Sequence, residues 1–371
     1  MARAGLICEF NPFHNGHKFL LEKIKSDFHD EVVCIMSGNF VQRGDLAITD
    51  KYKRAQAAME NGADLVVELP TVYALSGAQT FADNGVHLAA SLNCERLYFG
   101  AENSINDLSE VAGLLENKLI NDKIRTAMKG GQYYPKALSM ALGEKNAKVV
   151  EQPNNILALE YIKACQKYGI LPIAIPRKGV NHDDTDIVGN IASGSKIREL
   201  IENGEAYKLL TPMEITRPCS AKDIETAILY RLKTISPEEL HTIADVSEGL
   251  EYRICEAAKQ YNSLKEIYEA VKTKRYTMAR ICRIVMAAFL NISSAMQNTP
   301  VPYARILGMK AGLEGMLRGA RLPLIVKTKT DVDALNSSAK EIFNVDLRAA
   351  EAMNLASSQT LNEFTQPIIK I

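Results

Sequence analysis

The run Asn11-Pro12-Phe13-His14-Asn15-Gly16-His17 sets two imidazoles three positions apart, with a proline and a glycine, where an apolar stretch gives way to helical spacing. Two histidines at a helix start can both point at one phosphate, and unpaired N–H groups with the positive end of the helix dipole make an anion site there. Phosphoryl or nucleotidyl transfer wants this arrangement, because charge builds on equatorial oxygens and fixed donors stabilise it. Pro12 stiffens the strand exit, and Gly16 lets the backbone come close to a ligand. Two plainer readings compete. HxxH could be half of a metal site, but His29, His87, His182 and His241 show no companion spacing. A capped helix with incidental histidines is the other, and the strand–loop–helix context weighs against it. Walker A (GxxxxGK[ST]) and dinucleotide (GxGxxG) patterns are both absent.

Those histidines need a strand before them and a helix behind. Ala4 to Glu9, Glu31 to Met36, Leu65 to Leu69, Arg96 to Phe99 and Leu171 to Ile175 are short, β-branched apolar runs that read as buried parallel strands. Lys18 to Lys25, Lys51 to Asn61 and Ala78 to Ser91 carry helical spacing between them; Asp50 is placed to cap the second, and Gly62 to end it. Alternation of this kind predicts an α/β fold with a doubly wound parallel sheet, whose ligands bind outside the carboxyl ends of the strands. Gln42, Arg43 and Asp45 fall on one such loop. Arg43 could face RNA or phosphates there, or pair with Asp45 to stiffen the loop. From about Thr211 the pattern turns helical (Ala221 to Leu232, Pro237 to Ala244, Glu248 to Ala258, Ser263 to Lys272, Tyr276 to Leu290), with Pro323 to Thr328 as one further strand. The division expected is a nucleotide-binding domain over 1–208 and a mainly helical domain over 209–371.

The 371 residues suffice for two domains, and 47% apolar with 24% charged residues is ordinary for a folded soluble protein. Seven scattered cysteines without a CxxC pair indicate neither zinc knuckle nor disulfide framework, hence a reducing compartment. No charged-then-apolar leader and no run long enough to span a bilayer is seen, so a cytoplasmic protein without membrane contact is expected. Lys plus Arg equals Asp plus Glu, 44 each. The balance hides an asymmetry: Lys272 to Lys329 holds eleven basic residues (Lys272, Lys274, Arg275, Arg280, Arg283, Arg305, Lys310, Arg318, Arg321, Lys327, Lys329) against Glu314 alone. Ser236 to Val271 holds eight acids against three bases. Gathered on one surface the excess would bind a nucleic acid in a salt-dependent way; the alternative is two oppositely charged helical faces packed together or serving a subunit contact. Arg43, Arg275, Arg280, Arg283 and Arg305 are the candidate RNA contacts. Lys18 and Arg54 read as surface residues of their helices.

Gly5 to His17 (GLICEFNPFHNGH), followed by Ser37 to Asp45 (SGNFVQRGD), resembles the bacterial tRNA(Met) cytidine acetate ligase family, in the HIGH-type nucleotidyltransferase superfamily. Phe99-Gly100-Ala101-Glu102, Gln152 to Leu157 (QPNNIL) and the stretch around Arg177 match as well. In the helical part the recognisable pieces are Tyr276 to Arg280 (YTMAR) and Tyr303 to Gly308 (YARILG). The resemblance implies a Rossmann-like domain that turns ATP and acetate into acetyl-adenylate and pyrophosphate. The acetyl group then passes to N4 of the wobble cytidine of elongator tRNA(Met). It implies His14 and His17 as catalytic residues, and ATP contacts along Ile7, Cys8, Glu9, Phe10, Asn11, Pro12, Phe13, His14, Asn15, Gly16, His17, Lys18, Phe19 and Leu20. Gly100 would permit close approach of the adenosine, Asn154 or Asn155 would hydrogen-bond the nucleotide, and Arg177 would grip a phosphate. For Asn154 and Asn155 the plainer reading is a helix cap. Ser193 to Arg198 resembles the second superfamily signature, with Ser195 as an ATP contact; a plain N-cap by Ser193 or Ser195 competes. Phe10 departs from the family, where an aromatic with a hydroxyl is common.

Acetate is already ionised at pH 7, so adenylation requires no general base, only alignment and charge stabilisation at the α-phosphate. Mg²⁺ would ride on the triphosphate, held mainly by phosphate oxygens and water. No protein partner is expected. Two rivals remain at this point: a small-molecule adenylyltransferase, and a non-catalytic RNA-binding protein on the same scaffold.

Overall fold

The computed structural model describes residues 2–132, 134–176, 187–247, 249–273 and 276–371. Arg177, His182, Glu248, Lys274 and Arg275 therefore lie outside the described residues. The strands are β1 (Arg3–Cys8), β2 (Glu31–Ser37), β3 (Phe40–Val41), β4 (Asp45–Leu46), β5 (Leu65–Leu69), β6 (Arg96–Ala101), β7 (Leu171–Pro176), β8 (Ala304–Met309), β9 (Leu324–Ile325) and β10 (Ile369–Lys370). One sheet runs β10-β8-β5-β2-β1-β6-β7 with β9 beside β8, while β3 and β4 form a separate antiparallel hairpin.

The five runs read as parallel strands are parallel neighbours in the order β5-β2-β1-β6-β7. They are continuous apolar runs because both faces of the sheet are covered. Ile7, Val33, Ile35, Val67, Leu97 and Phe99 pack into one core, and Leu6, Cys8, Val32, Cys34, Val66 and Tyr98 into the other. β7 differs from expectation: it is an edge strand, only half-buried, and Pro172 and Pro176 suit an edge. The chain builds β1, β2 and β5 outward on one side, then crosses to β6 and β7 on the other. The strand order reverses between β1 and β6, which puts a crevice outside their carboxyl ends.

The sheet does not stop at the division expected at 208/209. β8 enters beside β5, antiparallel, with all six residues buried, and β10 then pairs with β8 in parallel. Helices Glu225–Thr234, Leu250–Gln260, Leu264–Val271 and Met278–Leu290 form the anticipated helical part, but their buried residues join the same core as Ile7 and Val33. Helix Ser337–Ser357, not read from the sequence, carries Asp346, which accepts from Thr71 N–H (2.8 Å) and Tyr303 O–H (2.7 Å) and so ties residues on both sides of the expected boundary together. Of the further strand expected over 323–328, only β9 forms. No helix among the described residues is long and apolar enough to cross a membrane.

Candidate active site

β1 delivers the chain to Phe10, a non-glycine residue at positive φ (48°). Packing holds it there: its buried ring meets those of Phe13 and His17 edge-on, each at 4.9 Å between centroids. Phe10 thus props His17 and does not present a stacking face to a ligand.

His14 is the N-cap of helix Asn15–Phe28, its Nδ1 accepting from Gly16 N–H at 3.1 Å, while His17 Nδ1 accepts from His14 N–H at 3.2 Å. The two rings stack at 3.7 Å. The capping reading is borne out. An Nδ1 that accepts is unprotonated, so each neutral ring carries its proton on Nε2, and Nε2–H can donate to a phosphate. The expectation of unpaired amides is overturned. Asn15 N–H donates to Leu210 O, Gly16 N–H to the His14 ring, and His17 and Lys18 N–H to His14 O. At this helix start the donors suited to an anion are imidazoles. A Cβ on Gly16 would lie 3.0 Å from His14 Cε1, so the glycine first makes room for that ring.

A second layer clamps this loop. Asn15 Nδ2 donates to Asn190 O and Leu209 O (both 2.8 Å), so this side chain pins the wrap and is not turned to nucleotide. Thr211 Oγ1 donates to Phe13 O, and Arg198 Nη1 to Asn11 O at 2.6 Å. Ser193 caps helix Gly194–Glu202 through Lys196 N–H, and Ser195 Oγ accepts from Arg198 Nη2 (3.1 Å), orienting that guanidinium at the crevice. Asn11 Oδ1 accepts from Ile48 N–H at 2.7 Å. Ile7 and Cys8 are core residues of β1, offering a ligand backbone only; Lys18 is exposed on its helix, and Leu20 packs against the second core.

Arg54, read as a surface residue, has no exposed area. Helix Lys51–Glu60 aims its guanidinium at the carboxyl ends of β1 and β2, where it donates to Glu9 O (2.6 Å), Ser37 O (3.1 Å), Gly38 O and Thr49 O (3.1 Å). Its three donor nitrogens fit that scatter of carbonyls. Burial pulls its pKa down to about 10, which still leaves it charged. Beside it Glu9 is half-buried; Oε1 accepts from Gln42 N–H at 2.6 Å, and burial raises its pKa against the pull of Arg198, Arg54 and Arg43.

Across the crevice, Gly100 lies near the end of β6, opposite Ile175 of β7. Asn154 donates to Glu102 Oε1, and the buried Glu102 Oε2 has no hydrogen-bond partner. Asn155 is not a nucleotide contact. Fully buried, it accepts from Glu102 N–H (3.1 Å) and Asn103 N–H (3.4 Å) and donates to Asn103 Oδ1 (2.7 Å) and Val149 O (3.0 Å). Neither asparagine caps helix Pro153–Tyr168, whose N-cap is Gln152.

The family model described as HIGH Nucleotidyl Transferase matches residues 1–366. The tRNA(Met) cytidine acetate ligase of Thermoanaerobacter sp. (strain X514) is 36% identical, with all of both chains covered. That of Bacillus subtilis (strain 168) is 31% identical, covering 97% of this chain and 94% of its own. Crystal structures of Thermotoga maritima TmcAL superpose over the whole of both chains at 27% identity: the apo form with a TM-score of 0.93, and the form bound with alpha-thio ATP with 0.91. The chain belongs to the tRNA(Met) cytidine acetate ligase family.

In this ligase the hairpin β3–β4 leads from the crevice to the helical part. Asp45 Oδ1 accepts from Ala221 N–H (2.7 Å), and a Cβ on Gly44 would fall 2.4 Å from Arg283 N, so only glycine, here at φ +80°, lets hairpin and helix Met278–Leu290 touch. Arg43 is exposed at the hairpin tip. The other candidate RNA contacts fare differently. Arg305, 2% exposed, is buried in an ion cluster with Glu68 (3.2 Å), Glu363 and Lys51, so it cannot reach RNA. Arg283 pairs with Asp245 (3.2 Å), and Arg280 donates to Asp245 O and Ser247 Oγ over the Tyr276 ring; both are half-buried. Of these two arginines, Arg283 makes an ion pair with the acidic segment, while Arg280 meets a carbonyl and a hydroxyl there. No group of three or more His, Cys, Asp or Glu side chains that could hold a metal occurs among the described residues.

Proposed function

We propose that this ligase condenses ATP with acetate to acetyl-AMP and passes the acetyl group to N4 of the wobble cytidine of elongator tRNA(Met), in the cytoplasm. The observation that carries the reading is the stacked His14–His17 pair, both Nδ1 atoms committed to backbone N–H groups, at the β1/β6 crevice of a chain collinear with such ligases over its full length. The two Nε2–H groups and the Arg198 guanidinium would hold the α-phosphate as charge gathers on it, with Arg177 and Asn154 as further nucleotide contacts. Acetate attacks as the carboxylate, so the protein supplies alignment and no base in this step. Mg²⁺ would belong to the triphosphate as part of the substrate, held mainly by phosphate oxygens and water. The crevice at the β1/β6 carboxyl ends would make the adenylate, and the helices between 225 and 290 would present the anticodon beside Arg43.

Incubation with ATP and labelled acetate yields acetyl-AMP, and added tRNA(Met) gains N4-acetylcytidine at the wobble position, read by mass spectrometry. His17→Ala lowers acetyl-AMP formation by roughly 10²- to 10³-fold, the usual cost of one transition-state donor. Dinucleotide formation from a mononucleotide, with no acetyl-adenylate, would replace this reading by a small-molecule adenylyltransferase.

A further inference from the structure

Glu9 is out of place in the first half-reaction. Triphosphate and acetate are both anions, and a carboxylate at the end of β1, one residue before the Phe10–His17 loop, repels each of them. Among the described residues it forms no ion pair, and its one side-chain hydrogen bond is that which Oε1 accepts from Gln42 N–H at 2.6 Å, leaving Oε2 without a protein donor there. The residue is held in place from several sides. Arg54 fixes its carbonyl at 2.6 Å, Gln42 fixes one carboxylate oxygen, and half-burial keeps the group partly away from water.

The second half-reaction has a use for such a group. The exocyclic N4 of cytidine is neutral and weakly nucleophilic, and it must lose a proton as it becomes an amide nitrogen. We infer that Glu9 Oε2 takes this proton during acetyl transfer. The inference rests on the acetyl-transfer reading above. The N4 lone pair forms the C–N bond to the acetyl carbonyl carbon, the bond from that carbon to the phosphate oxygen breaks, AMP leaves with the electron pair, and one N4 proton moves to Glu9. His14 and His17 do not serve here, because each ring accepts a backbone N–H at Nδ1 and carries its proton on Nε2.

The charged and titratable groups facing Glu9 are Arg54 from helix Lys51–Glu60, Arg198 from helix Gly194–Glu202, Arg43 from the β3–β4 hairpin, Tyr161 from helix Pro153–Tyr168, and Cys8 on β1. Burial raises the Glu9 carboxyl, and the three arginines counter part of that rise. Transfer therefore falls as pH drops through a value raised above the usual one for a glutamate, as the base becomes protonated.

The test separates the half-reactions. Acetate-dependent ATP–pyrophosphate exchange reports adenylation, and single-turnover reaction of preformed acetyl-AMP with tRNA(Met) reports transfer. Glu9→Gln keeps the acceptor for Gln42 N–H and the shape, and loses the base. Its transfer rate falls about 10²-fold or more relative to its exchange rate, and the acid limb of the transfer profile disappears. Glu9→Asp, a base drawn back by one methylene, keeps the limb and recovers part of the rate. An equal fall of both half-reactions in Glu9→Gln would overturn the inference, as would an unchanged transfer profile. Restoration of Glu9→Gln by raised Mg²⁺ would also overturn it and make Glu9 a metal ligand. If the wild-type chain formed no acetyl-AMP, it is the proposed function that would fail.

Discussion

A histidine can cap a helix and still serve a phosphate, because its two ring nitrogens act separately. In His14 and His17 the inner nitrogen is spent on a backbone N–H, and that bond fixes the tautomer and the aim of the outer one. Arg54 does comparable work without facing substrate. Glu9 O, Ser37 O, Gly38 O and Thr49 O converge on one buried guanidinium, so the ends of β1 and β2 are set relative to each other by a single side chain. Arg54→Met strands those carbonyl oxygens away from water. It should cost about 3 kcal/mol or more in urea unfolding, since each buried acceptor left unsatisfied costs about 1–3 kcal/mol. Arg54→Lys should recover only part, since one ammonium cannot span the four acceptors.

At the scale of elements, the crevice is shaped by loops latched to helices. Asn155, on helix Pro153–Tyr168, spends both ends of its amide on the turn after β6. Asn155→Ala leaves Glu102 and Asn103 N–H without that acceptor. The expected outcome is a loss of about 1–3 kcal/mol in thermal or urea unfolding, with a several-fold rise in KM for ATP in the exchange assay and little change in kcat. Asn155→Asp keeps the acceptor and loses the donors to Asn103 and Val149, so its KM should fall between the two. The β3–β4 hairpin is a second latch, held by Asp45 to Ala221 and by Gly44 against Arg283.

Across the whole molecule, the chain's far ends meet in one buried ion cluster. Lys51 lies 2.8 Å from both Glu68 and Glu363, and Arg305 also contacts both carboxylates, so helix Lys51–Glu60, β5, β8 and the segment after residue 357 share one electrostatic unit. Burial opposes a charge on Glu363, but Lys51 and Arg305 win and hold its pKa down to about 2 from 4.5. A folded pKa below the unfolded one gives stability that is present above about pH 4.5 and lost as pH falls towards about 2. Denaturation midpoints should decline across that window by an amount equivalent to about 3 kcal/mol. In Glu363→Gln the decline should shrink while stability at pH 7 drops. The basic excess of 272–329 is likewise divided by the fold. Arg305 is in this cluster, Arg283 on Asp245, and Lys310 near Asp64, just before β5 and so at the sheet edge opposite the crevice. Charge reversal at Lys310 should leave the KM for tRNA(Met) within about twofold, whereas reversal at Arg43 should raise it severalfold, roughly 1 kcal/mol in binding.

The parallel strands, the histidine loop after the first of them and the capped helices were legible because they are local: period, β-branched runs and cap residues are written in neighbouring positions. Asp50 caps its helix as expected for the same reason, and of the two serines weighed as caps for helix Gly194–Glu202 it is Ser193 that caps it. Pairings between distant residues were not legible. The YARILG run is apolar enough for a strand, but nothing near it says that it will lie antiparallel beside β5 and carry the sheet across the expected boundary at 208/209. Arg54 and Arg305 have the same side chain as a surface arginine, and their burial follows only from carbonyls and carboxylates brought in from elsewhere in the chain. A charge count along the sequence adds residues by proximity in number, whereas the field at a surface depends on where each side chain ends and what neutralises it. Composition and spacing therefore determined the kind of sheet and where its nucleotide loop lies, and tertiary packing alone decided which cations and amides remain available to a ligand.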